Sequence, residues 1–250
     1  MVGMTTTRPT TLLGDALDAH GGLTRWNGLR NVEASLVSGG LLYDLKGQPS
    51  DRAARQIRVT LREVYTALRP FGARDQSMVY TCARTVIEKT DGTVVADVAT
   101  DDVRRSFAGH TLTTAWNPLQ RAFFSGYALW TYLNSPFLLA RPDVELYPVP
   151  AVEHHGEALP GIGVVFPPSV PTHSRHQRFY FGPDRLLRRH DYRVDIAGAF
   201  PASQYLGDYT TAAGLAVPTT RRAYRATDDG QTVWEELMVD MAFSDIAFTA

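Results

Sequence analysis

The segment NPLQRAFFSGYALWTYLNSP, residues 117–136, most narrows what this chain can fold into. Asn117 is placed as an N-cap, Pro118 sits at the first helical position, and Gln120 follows the cap by three residues. Pro136 stops the helix. Leu119, Phe123, Tyr127 and Trp130 recur at near-helical spacing, while Phe124, Leu129 and Leu133 spread apolar surface around most of the circumference. A helix over 117–135 that is apolar on nearly every side has to be buried. Something must wrap it.

The flanking sequence supplies the wrapping. From Asn31 to about His110 the hydrophobic pattern shifts to period two in NVEASLVSG, RQIRVTLREVYTALR, SMVYTCARTVIEKT, TVVADVA and DVRRSFAG, with turn residues in SGGLL and TDGTV. RQIRVTLREVY puts Ile57, Val59, Leu61 and Glu63 on one face. After a proline-rich link, RPDVELYPVPAVE, strand patterns resume in GIGVVFPP, RHQRFY, LRRHDYRV, ASQYLGDYTT, LAVPTTRRAYRA and TVWEELMVDMAF. Near the start, TLLGDALDAHGG places Leu12, Leu13, Ala16 and Leu17 at helical spacing before a Gly-Gly stop, with His20 as a partly charged imidazole at the helix end. The expected fold is α+β: one domain over 1–250, a strongly curved antiparallel half-barrel of roughly ten strands wrapped around a central apolar helix, plus an amino-terminal helix. Residues 1–8 are expected to form a disordered tail.

Composition excludes several functions. Twenty-five basic residues against 26 acidic give a net charge of -1, so the chain lacks the basic field that nucleic acid requires. The pairs Arg104-Arg105, Arg188-Arg189 and Arg221-Arg222 read as solvated strand faces. The single cysteine, Cys82, rules out an internal disulfide framework and reads as a small buried hydrophobe on a strand. With no apolar run of about 18 residues, no membrane span is expected. With no signal-peptide pattern, a cytoplasmic protein is expected. GxSxG, P-loop, GxGxxG and HExxH patterns do not occur in the sequence, and no cofactor is implied.

Element order and loose motifs resemble the LolA/LolB-like lipoprotein-carrier superfamily. The features that carry the resemblance are DAHGGLTRWNGLRNVEASL, the long meander, the central aromatic helix, and RLLRRHDYRV followed by YLGDYTTAAGLAVPTTRRAYR. The resemblance implies an incomplete barrel whose concave face is covered by helices, with an apolar cavity for acyl chains or other hydrophobic molecules.

The stretch THSRHQRFYFGPDRLLRRHDYRVD, residues 172–195, carries the polar candidates. A turn at Gly182-Pro183-Asp184 puts His173, Arg175, Gln177, Phe179 and Phe181 on one face, with Gln177 opposite His190 and Arg175 opposite Tyr192. A one-residue bulge would bring in His176 and Asp191 instead. His173 and His176 lie three residues apart, so a strand sends them to opposite faces and no metal is expected there. The readings that follow are a carrier for a hydrophobic small molecule (acyl or polyketide-like), a cofactor-free isomerase, cyclase or hydratase, and a structural protein whose cavity is plain core. Ligand contacts are expected from Phe123, Tyr127, Trp130, Gln177, Phe179, Phe181 and Tyr205, around a cavity of a few hundred Å3. On the enzyme reading His190 or His173 is the general base, supported by Tyr192 and Asp208. A monomer without nucleic-acid partners is expected.

Overall fold

The computed structural model describes residues 9–48 and 52–250; the expected amino-terminal tail lies outside the described residues. In chain order the elements are α1 (Pro9–Ala19), α2 (Leu23–Asn27), β1 (Asn31–Gly39), α3 (Leu41–Leu45), β2 (Arg55–Thr60), β3 (Tyr65–Arg69), β4 (Gln76–Thr81), β5 (Arg84–Lys89) and β6 (Val94–Ala99). There follow α4 (Thr100–Arg105), α5 (Pro118–Asn134), a 3-10 turn at Phe137–Ala140, β7 (Glu145–His154), β8 (Glu157–Val165), β9 (His176–Phe181), β10 (Leu187–Val194), β11 (Phe200–Ala212), β12 (Leu215–Ala226) and β13 (Thr232–Thr249). One 13-stranded sheet holds all the strands, in the order β6-β5-β4-β3-β2-β1-β13-β12-β11-β10-β9-β8-β7. It is antiparallel, curved and unclosed. Except where β1 meets β13, sheet neighbours are sequence neighbours, as period-two patterns joined by short turns require.

α5 is capped as its sequence dictates. The Asn117 side chain accepts from the Gln120 amide at 2.9 Å, and the Gln120 side chain accepts from the Asn117 amide at 3.0 Å. Residues 120–134 are buried. On one side α5 packs against β2 to β5: Thr66 donates to the Gly126 carbonyl at 2.9 Å, and the Trp130 indole donates to the carbonyls of Thr60 and Glu63. Its other neighbours are His173, which meets Tyr127 and Tyr132, and Arg221 on β12.

Several local expectations are corrected. The first half of DVRRSFAG is helix α4 and the rest is turn: Asp101 and Asp102 in the first helical turn and Arg104 and Arg105 in the last complement the helix dipole, which outweighs a weak alternation. RQIRVTLREVYTALR is broken by a turn at 61–64, where the Thr60 hydroxyl donates to the Glu63 carbonyl, so Glu63 is exposed and is not a strand residue. SMVYTCARTVIEKT likewise splits into β4 and β5, which leaves Cys82 exposed at the turn. The proline-rich link is the edge strand β7, where a missing amide donor is tolerated. The imidazole of His20 is 1 % exposed, hydrogen-bonds the Ala16 carbonyl at 2.7 Å and accepts from the Leu187 amide at 3.4 Å. Burial holds its pKa at about 4, so it is neutral and ties α1 to β10.

Candidate functional site

Strand alternation divides the polar residues of β9 to β12 between two faces. His190 pairs with Gln204 and Tyr192 with Ala202, while Arg189 pairs with Tyr205 and Asp191 with Ser203. Side chains one residue apart point to opposite faces. His190, Tyr192 and Gln204 therefore turn toward the core around α5, and Arg189, Asp191, Ser203 and Tyr205 turn away from it.

The inward set forms a closed network. His190 Nε2 lies 2.6 Å from Gln177 Oε1 and its ring stacks on Phe179 at 4.1 Å. The Gln177 amide nitrogen donates to Thr172 and to the Ser174 carbonyl, so its oxygen accepts and His190 donates through Nε2. His173 stacks on Tyr192 at 4.1 Å, and its two nitrogens meet the hydroxyls of Tyr127 (3.2 Å) and Tyr132 (2.8 Å). The Tyr132 hydroxyl continues to that of Tyr192 at 2.9 Å. Burial lowers the pKa of His173 to about 3 and that of His190 well below its ordinary value. It raises Tyr132 to about 12 and Tyr127 and Tyr192 well above the usual phenol range. Burial thus favours the uncharged form of each of these groups.

Of the expected site residues, His173, His190, Tyr192, Tyr127, Gln177 and Phe179 meet in this network. Phe181 is buried but pairs with Leu187 beyond it. Phe123 packs against Tyr80, Phe107 and Tyr127, and Trp130 is fixed to the 60–63 turn. Tyr205 and Asp208 are not brought to His190. Tyr205 accepts from Arg189 and stacks with His154 on the opposite face, and the Asp208 carboxylate is exposed and accepts from Thr220. Arg175 is exposed too, because residues 172–175 precede the strand and its guanidinium donates to the Phe166 carbonyl.

Phe123, Tyr127, Trp130, Phe179 and Phe181 are all 3 % exposed or less and belong to the hydrophobic core. A cleft of about 210 Å3 lies over β9, β10 and β11 and the β12–β13 turn, with Tyr147, Arg178, Asp191, Arg193, Ser203 and Asp228 in its walls. A much smaller pocket, about 10 Å3, is lined by Trp26, Tyr132, Leu133, Phe137, Val217, Arg221 and Phe248 among others. Among the described residues no group of three or more His, Cys, Asp or Glu side chains converges as a metal site would require, and no helix is long and apolar enough to cross a membrane.

Sequence reasoning missed Tyr132, Gln204 and Arg221. Arg221 is 1 % exposed and not a solvated strand residue; its neighbour Arg222 takes that place, 3.3 Å from Asp240. The other two pairs also divide differently from expected. Arg188 reaches Asp184, Arg189 is buried against Asp191, and Arg104 and Arg105 belong to α4. A signal for Arg221 was present: Leu215, Val217, Arg221 and Ala223 share a period-two frame, and all four are buried.

His190→Gln keeps a donor facing Gln177 and loses the ring stack on Phe179. It is expected to cost about 1–2 kcal/mol of stability in a denaturant titration. A neutral substitution would contradict the ring stack on Phe179 described here.

No family model and no curated relative matches the sequence. Solved structures do match it in shape. A DUF1329 family protein from Desulfovibrio piger is 9% identical, with 97% of this chain and 94% of that one aligned at a TM-score of 0.54. An outer membrane lipoprotein-sorting type of domain from Vibrio parahaemolyticus is also 9% identical, with 96% and 93% covered and a TM-score of 0.55. A LolA superfamily protein from Nitrosomonas europaea has 9% identity, 96% and 93% coverage and a TM-score of 0.49. From end to end of its described length, the chain has the LolA-like fold.

Proposed function

We propose that this protein is a carrier that holds a hydrophobic small molecule against the concave face of its half-barrel, beside α5. The observation that carries the reading is the fold: a curved, unclosed sheet matched over nearly its whole length by a lipoprotein-sorting type of domain. The core supports it. An open sheet whose inner face carries an aromatic helix has a large apolar surface to offer once an element shifts, and α2 and the 137–140 turn are the short pieces that cover its end. A pocket of about 10 Å3 admits roughly one water. This is therefore the closed form, and loading requires it to widen.

The cavity aromatics make poor test positions because they are core. Trp130→Ala is expected to cost about 3–5 kcal/mol, the usual loss for a buried large aromatic, so weaker binding in that variant would report unfolding. Val217, at the pocket's rim and 8 % exposed, is the better position. Val217→Phe should weaken binding of a dansyl-labelled fatty acid about 10-fold, roughly 1.4 kcal/mol, with an overpacking cost of about 1–3 kcal/mol read separately by urea unfolding. Unaltered binding in a folded Val217→Phe protein would place the ligand elsewhere.

A further inference from the structure

Two buried arginines of this sheet are treated in opposite ways. Arg189 is held by both oxygens of Asp191, at 2.7 and 2.9 Å, with Ser203 and the Gly230 carbonyl completing its contacts. Arg221 is more deeply buried, and its hydrogen bonds go to neutral oxygens: Gln204 Oε1 at 3.1 Å and the Tyr132 carbonyl at 2.5 Å. Its Nε is buried without a partner, and so is Nε2 of the adjoining Gln204. The Gln204 orientation is fixed, because its oxygen faces the guanidinium. An isolated cation in an apolar surround is costly unless an anion or strong acceptor reaches it. Here the guanidinium lines a pocket whose other walls include Trp26, Leu133, Phe137, Val217 and Phe248.

We infer that Arg221 receives the carboxylate head of an acyl chain, whose tail lies among Trp26, Phe137 and Phe248. The inference rests on the carrier reading and names the ligand's chemistry. A carboxylate offers two acceptor oxygens, enough for the unpartnered Arg221 Nε and the free Gln204 amide hydrogens. The tail enters where Trp26 and Phe137 now stack at 4.3 Å. These two rings sit on α2 and on the 137–140 turn, pieces of five and four residues that are held by side-chain packing more than by their own helical bonds.

Calorimetric titration of the whole protein with oleate, oleyl alcohol and acetate tests this. Oleate should bind roughly 30-fold more tightly than oleyl alcohol, the worth of hydrogen bonds to a charged group, and acetate should bind far more weakly than either. Arg221→Met, which keeps the length and removes the charge, should bind oleate and oleyl alcohol alike. Equal affinities for oleate and oleyl alcohol in the unaltered protein would leave the carrier reading intact and overturn this one. Binding of neither would overturn both. Acetate binding as tightly as oleate would refute the acyl tail, and an undiminished oleate preference in Arg221→Met would refute the role of Arg221. Should that variant fail to fold, the comparison in the unaltered protein still decides.

Discussion

Gly126→Ala is expected to destabilise the protein by about 3 kcal/mol or more, the upper end of what overpacking a tight core costs. Gly14→Ala is expected to stabilise it by about 1 kcal/mol. Both glycines lie inside helices, so propensity favours alanine at both. Their surroundings decide the sign. A Cβ at Gly14, on the exposed side of α1, meets nothing within 4 Å. A Cβ at Gly126 falls 2.2 Å from Cβ and Cγ of Tyr80, whose ring is fully buried on β4. The clash is with the root of that side chain, so rotating the ring gives no relief, and α5 must lift from the sheet. Urea midpoints of the two variants provide the check. A Gly126→Ala protein within about 0.5 kcal/mol of the parent, the range of an unremarkable surface change, would mean that α5 does not rest on β4 there.

Acid should unfold this protein well before its carboxylates are fully protonated. His20, His173 and His190 are buried and neutral, with pKa values pushed to about 4, to about 3 and well below the ordinary value. Unfolded, each returns to about 6.5. Below that value the unfolded chain binds protons that the folded one refuses, so stability rises with pH through the window and is lost as pH falls from about 6.5 toward the folded values. Between pH 7 and pH 5 His20 and His173 each cost about 2 kcal/mol, and His190 adds to the loss in the same direction. Urea unfolding at half-unit steps should give a slope of about 2.5 kcal/mol per pH unit or more near pH 5. A flat profile between pH 7 and 5 would show that these rings are hydrated or already charged in the folded state.

The sheet was legible wherever one face is buried and the other wet. NVEASLVSG became β1 at its quoted bounds because alternation there is clean. The helix after Asn117 was legible because cap, proline and apolar surface agree. What failed was punctuation: turns at 61–64 and 82–83 lack glycine and proline, so single alternating runs concealed two strands each.

The 172–195 hairpin shows why faces can be read when pairings cannot. The loop closes from Gly182 to Leu186, with Arg185 at φ 64°, and a bulge follows between Leu187 and Arg189. His190 therefore lies opposite Phe179, two residues from the expected Gln177. A shift of two restores parity, so His190 and Gln177 still share a face and come within hydrogen-bond reach. Tyr205 was misplaced through parity as well, since its partner is Arg189 and not His190. Arg221 was obscured by its chemistry: a charged side chain suggests solvent, while its position in the period-two frame points to the core.

Native mass spectrometry of freshly purified protein tests the carrier claim most directly. A fraction of molecules is expected to carry one extra mass of a few hundred daltons, released on collisional activation and identified as an acyl-chain compound. Protein stripped of that mass should rebind one equivalent of oleate. Stripped protein that stays bare when oleate is supplied, at concentrations where its fold is intact, would contradict it.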